Sequence, residues 1–331
     1  MPLSEATPVS LRPAPPEALP DYARVISHPG GRWRRWWLHA MLRLTAKRTH
    51  IAPGADITAL RAQQAAFDLK FGRIDPEARS TPVDCAGAAA EWIDVPGSRR
   101  DRVLLYLHGG AFMFRFPRTH PGLVARWCRP LSARALMVDY RLAPEHRFPT
   151  APDDCHRAYR WLLAQGVNPR HVVIAGDSAG GTLTLVTLHR IKSAGEPMPA
   201  CAVLLSPAVD FTLSSRSIVT NEKHDPMFSL AALIALRGMY APPERFLDPS
   251  VSPLYADFAG FPPLLFQAGG LEVLRDESVR AADRAHAAGV PVELEIWEDM
   301  AHVFQALPLP QAVAANEHIV RFIGRHTGWS A

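Results

Sequence analysis

Read for the alternation of apolar and polar positions, residues 90–326 divide into strand-like and helix-like segments that take turns along the chain. Val103 to Leu107, Ala135 to Tyr140, Val172 to Ile174, Cys201 to Leu205, Leu264 to Ala268 and Val292 to Trp297 are short aliphatic or β-branched runs, the pattern of strands in a covered sheet. Glu91 to Val95 reads as a further strand, separated from Val103 by the turn Pro96-Gly-Ser98. Between these runs lie longer segments of helical length. One is capped by Asp153 or Asp154 and continues through Trp161 and Leu163; others start at Thr182, cover Glu277 to Ala288 up to Gly289, and close the chain at Gln311 to His326. Alternating strands and helices predict the α/β class, a largely parallel, doubly wound sheet covered on both faces.

Two regions depart from that alternation. Residues 211–243 have no strand signal but carry a helical run, Ser229 to Tyr240, which predicts an insertion arching over the sheet. Ahead of the strands, residues 1–20 are rich in proline and alanine and are expected to be mobile. Pro29 to Thr49 then places Trp33, Trp36, Trp37, Met41, Leu42 and Leu44 near helical spacing among Arg32, Arg34, Arg35, Arg43, Lys47 and Arg48. Such a helix is expected to pack over the mouth of an active site; contact with a membrane surface is the other reading. A second helix covers Ile57 to Phe71 and stops at Gly72. Residues 1–75 are therefore expected to be a helical cap added to a sheet domain over 76–331, with a cap insertion at 211–243.

Composition narrows the classes. A chain of 331 residues with 48% hydrophobic content can bury a large core. Its net charge of +4, from 36 basic and 32 acidic residues, is spread along the chain, so no nucleic-acid partner is expected. Cys85, Cys128, Cys155 and Cys201 are far apart, without zinc-type spacing, and read as reduced. Six prolines precede Pro29 and no continuous apolar stretch does, so neither a secretory signal nor a spanning segment is expected and the cytoplasm is the expected compartment. A homodimer stays open. No H-E-x-x-H, Walker or dinucleotide glycine signature occurs, so no metal or nucleotide cofactor is expected.

The chemistry centres on Gly176-Asp-Ser-Ala-Gly180, which sits between the Val172 strand and the following helix. In a G-x-S-x-G elbow the flanking glycines let strand and helix cross closely, and Ser178 is held in a strained conformation with its hydroxyl at a helix N-terminus. A serine hydroxyl needs a base. His302, after the last predicted strand, stands where that base is required. The third group, a carboxylate to orient the imidazole, is Glu272 or Asp276. Asp276 has a local use as N-cap or first-turn acid of the helix from Glu277, whereas Glu272 has none, so Glu272 is favoured. After the Val103 strand, Gly109 and Gly110 let the backbone N–H groups turn towards a cavity, the arrangement of an oxyanion hole.

The order Ser178, Glu272, His302 is that of the α/β-hydrolase fold. The chain resembles the hormone-sensitive-lipase-like bacterial esterases over residues 90–325. The matching pieces are His108-Gly-Gly-Ala-Phe112, Asp139-Tyr-Arg-Leu-Ala-Pro-Glu145, Gly176-Asp-Ser-Ala-Gly-Gly181, Leu274-Arg-Asp-Glu277 and Met300-Ala-His302. The resemblance implies Ser178 as nucleophile, His302 as base, the N–H groups of Gly109, Gly110 and Ala179 as oxyanion hole, and a cap that shapes the acyl pocket. It implies a serine carboxylesterase acting on short- to medium-chain esters through an acyl-enzyme. Lactone hydrolysis with the same groups is the nearest alternative, and a receptor without turnover the more distant one, since receptors resembling the family lose the histidine. Ala111 replaces the family's third glycine, and Glu272-Val273 stands where aspartate and proline are usual.

Overall fold

The computed structural model describes residues 20–47 and 55–329. The expectation for residues 1–20 and the position of Arg48 therefore lie outside the described residues, apart from Pro20. Nine strands form one sheet among the described residues: β1 (Ala23–Ile26), β2 (Arg79–Asp84), β3 (Ala89–Asp94), β4 (Val103–Leu107), β5 (Arg134–Val138), β6 (Val172–Asp177), β7 (Cys201–Leu205), β8 (Leu264–Gly269) and β9 (Val292–Trp297). Their spatial order is β1-β9-β8-β7-β6-β4-β5-β3-β2. Only the pairs β2–β3 and β3–β5 are antiparallel; the rest of the sheet is parallel, as the alternation predicted.

The helices are α1 (Arg32–Thr45), α2 (Ile57–Phe71), α3 (Thr119–Leu131), α4 (Thr150–Ala164), α5 (Ala179–Ser193), α6 (Ser217–Thr220), α7 (Leu230–Tyr240), α8 (Arg275–Ala287) and α9 (Pro310–Thr327). Alternate residues of a strand face opposite sides of a sheet, and both sides are used here. Val103, Leu105 and Leu107 of β4 pack with residues of α4, α5 and α8, while Leu104 and Tyr106 pack with residues of α3 and α9. This two-sided burial explains the unbroken apolar runs of the central strands.

Several expectations are corrected. The N-terminal region is not wholly an addition to the sheet, because β1 extends it by pairing in parallel with β9. α4 begins at Thr150 with no side-chain cap, so neither aspartate caps it. Asp153 instead accepts from Arg190 at 2.6 Å, and buried Asp154 accepts from Arg141 and Arg157. The tryptophans of α1 do not pack over a site mouth: Trp33, Trp36 and Trp37 are 85%, 63% and 66% exposed, and the helix is seated through His39 and Leu42.

Candidate active site

β6 ends at Asp177 and α5 begins at Ala179, so Ser178 is the hinge, with φ 52° and ψ −121°. A non-glycine residue at positive φ costs about 1–3 kcal/mol, and here it holds the side chain at the N-terminus of α5. The turn needs Gly180, because a Cβ there would lie 1.8 Å from the carbonyl oxygen of Leu107 at the end of β4.

The loop from β9 carries His302, and the loop after β8 carries Glu272. The two side chains meet, His302 Nδ1 lying 2.5 Å from Glu272 Oε2, with both residues buried. A carboxylate only accepts, so Nδ1 holds the proton and Nε2 is left as an acceptor; it is buried and has no partner among the described residues. The other oxygen of Glu272 accepts from Ser206 Oγ at 2.9 Å and from Gly269 N–H at 2.7 Å, which fixes the carboxylate. Asp276 lies elsewhere in the loop network, in the first turn of α8, accepting from Ser217 N–H at 2.9 Å.

Burial works against a charged imidazole, yet the hydrogen bond to Glu272 and the negative charges of Glu272, Asp225 and Asp177 outweigh it and raise His302 above the ordinary histidine value. Asp225 was not singled out from the sequence. It is buried, accepts from Met227, Phe228 and Val273 N–H groups, and so presents Phe228, whose ring stands edge-on to the His302 imidazole with centroids 4.9 Å apart. The only local signal was Asp225-Pro226, a turn dipeptide.

The expected oxyanion loop is braced from several sides. Gly109 N–H donates to Asp177 Oδ1 at 2.8 Å, and that carboxylate also accepts from Tyr106 at 2.7 Å and lies 3.2 Å from His120 Nε2. Burial alone would raise the Asp177 carboxyl, but attraction to His120 and these hydrogen bonds hold it at about 2. The His108 imidazole, pushed down to about 3 by burial and by His120, is neutral and contacts the Gly109 carbonyl at 2.7 Å. The expected role of Gly109 as an oxyanion donor is corrected by this geometry, since its N–H is already committed. The N–H groups of Gly110, Ala111 and Ala179 take part in none of the turn hydrogen bonds among the described residues.

Ser178, Ala179 and Ala111 line one cavity of about 60 Å³, walled further by Phe211, Phe228 and Leu236. Phe228 thus joins the two halves of the site: it lines the cavity that Ser178 lines and packs on His302. The four cysteines are free and buried.

A protein-family model described as the alpha/beta hydrolase fold matches residues 104–306. An esterase of Acinetobacter venetianus is 34% identical over 88% of this chain and 96% of its own length. An acetyl-hydrolase of Streptomyces hygroscopicus is 37% identical over 72% of this chain and 80% of its own. Among solved structures, an esterase from the bacterial hormone-sensitive lipase family is 36% identical and superposes with a TM-score of 0.85, covering 90% of this chain and 99% of that one.

Proposed function

Because the chain belongs to the α/β-hydrolase family, in its hormone-sensitive-lipase-like esterase branch, we propose the following division of labour among its residues. The enzyme is a serine carboxylic-ester hydrolase. Ser178 Oγ attacks the ester carbonyl carbon while His302 Nε2 takes its proton. The charge that forms on the carbonyl oxygen is met by the N–H groups of Ala179, Gly110 and Ala111, the last in place of Gly109. Collapse expels the alcohol, which takes the proton from Nε2, and leaves the acyl group on Ser178. Water then attacks the acyl carbon, again losing a proton to Nε2, and Ser178 departs with that proton to release the acid. Glu272 holds the imidazole in the productive tautomer throughout and balances its transient charge.

The observation that carries this reading is the buried imidazole with one nitrogen on Glu272 and the other unpaired. An unpaired buried acceptor is costly unless it has a use, and accepting the serine proton is such a use. The cavity volume of about 60 Å³ holds on the order of four waters, which favours short acyl groups. α2 and the 211–243 insertion act as a cap; Arg61 of α2 reaches the Met113 and Ala143 carbonyls at 2.9 and 2.8 Å, and α7 supplies Leu233, Leu236 and Arg237 to the cavity wall.

The test is hydrolysis of a soluble nitrophenyl ester by Ser178→Ala and His302→Ala, with folding followed by circular dichroism. Both variants should lose about four to six orders of magnitude in kcat, and a sulfonyl fluoride should label the unmodified enzyme only at Ser178. Near-normal turnover by folded Ser178→Ala would reject the assignment.

A further inference from the structure

α1 is joined to the enzyme by one side only. Leu42 and His39 face inwards; Arg35 pairs with Asp299 at 3.2 Å, and Arg43 and Lys47 donate to the carbonyls of His224 and Asp225 at 3.1 and 2.7 Å. On the other side Trp33, Trp36, Trp37 and Leu44 form a stripe at positions i, i+3, i+4 and i+11, every one of them more than half exposed. An isolated exposed apolar side chain is ordinary, but three indoles in adjacent helical positions form a contiguous patch of the kind that marks an interaction surface.

The helix's own charge has one sign. The helix has four arginines and no acidic residue, and Arg35 is its one arginine joined to a carboxylate among the described residues. Beside it runs an open groove lined by Trp33, Arg34, Trp37, Leu38, Arg73 and Pro308, again without an acid. Indoles favour the boundary between hydrocarbon and water, and arginines favour anionic head groups. A second copy of the chain fits poorly, since a twofold contact sets the same patch against itself and would bring arginine against arginine.

We propose that α1 is a peripheral docking surface for an anionic phospholipid bilayer: Trp33, Trp36, Trp37 and Leu44 enter the interface while Arg32 and Arg34 contact phosphate groups. The attachment lies on the surface, because no helix among the described residues is long and apolar enough to cross a membrane. Through Arg35, Arg43 and Lys47 the docked helix holds Asp299, which precedes His302 by three residues, and the 222–225 segment beside Phe228. Bilayer contact is thereby placed next to the catalytic loops. The inference does not depend on the triad assignment, and a Ser178→Ala protein should dock as well as the unmodified one.

The experiment is co-sedimentation of the full chain with vesicles of phosphatidylcholine alone or mixed with phosphatidylglycerol. Each arginine at an anionic surface strengthens binding by about fivefold, so the mixed vesicles should retain at least about tenfold more protein at low salt, with the difference shrinking as salt is raised. Trp33→Ala/Trp37→Ala and Arg34→Glu should each lose most of that binding while hydrolysing a water-soluble short ester at the unmodified rate. Absence of binding to the mixed vesicles at low salt, or equal binding by the tryptophan variant, would overturn the proposal. So would vesicles that never bind combined with a dimer that the tryptophan variant dissociates, which would assign the face to a second copy.

Discussion

A base that must take a proton from serine has to be neutral at working pH, and His302 is pulled the other way by its surroundings. The negative charges of Glu272, Asp225 and Asp177 raise it despite burial. Below its own pKa the imidazole is charged and cannot accept, so kcat/KM should fall as pH drops through a value above about 6.5. Asp225→Asn removes one of the raising charges, so the acid limb of the profile should move to lower pH; an unmoved limb would exclude this electrostatic link. The substitution also gives up an acceptor for one of the Met227, Phe228 and Val273 N–H groups, which should lower Tm without shifting the limb by itself. For the acid, Glu272→Gln should reduce kcat by about 10⁴ through a misset tautomer. Asp276→Asn should leave it within a small factor, because Asp276 faces Ser217. Loss confined to Asp276→Asn would transfer the role.

Elements set those residues in place, and how readily each could be read from the chain follows from how it is buried. The central strands β4, β6, β7 and β8 are buried at every position, so their aliphatic runs announce them. The edges are different. Among the described residues β1 pairs only with β9 and β2 only with β3, and the Arg-Ser-Thr-Pro-Val-Asp sequence of β2 is mostly exposed; a strand with one neighbour and a wet face needs no apolar pattern. α3 has buried Leu123, Val124, Trp127, Cys128 and Leu131 at helical spacing, but Pro121, Gly122 and Pro130 interrupt the signal. The positions of Ser178, His302 and Glu272 just beyond strand ends were legible because each follows a recognisable strand, whereas the commitment of the Gly109 N–H was not, since it depends on where the Asp177 carboxylate lands. That carboxylate ties the end of β6 to the turn after β4. Asp177→Asn should loosen the turn and lower kcat by up to about 10²-fold, the lower end for loss of one oxyanion donor, with KM changing less; steady-state kinetics showing unchanged kcat would remove Asp177 as a positioning residue. Gly180→Ala tests the crossing itself: a Cβ 1.8 Å from the Leu107 oxygen should destabilise by about 3 kcal/mol, the upper range for overpacking, seen as a lower denaturant midpoint.

At the scale of the whole molecule, substrate range depends on how the 211–243 insertion closes over the sheet. Ser178 and Ala179 come from the sheet side of the cavity, while Phe228, Leu233 and Leu236 come from the insertion; the volume between them is a property of neither part alone, which is why chain length preference was not legible in the sequence. With about 60 Å³ available beside Ser178, room for about four waters, a short acyl group fits, and a methylene that meets the packed wall costs tenfold or more in rate, an approximate figure for hydrophobic pockets. Hydrolysis of nitrophenyl esters should therefore peak at short acids and fall steadily with length. Leu236 is buried at the cavity wall, and Leu236→Ala should move the maximum towards longer acids while lowering stability by about 2–5 kcal/mol. If the shortened wall leaves the profile unchanged in a variant that is still folded, the acyl chain does not occupy this cavity, and the groove through which it enters has to be sought on the other side of Ser178.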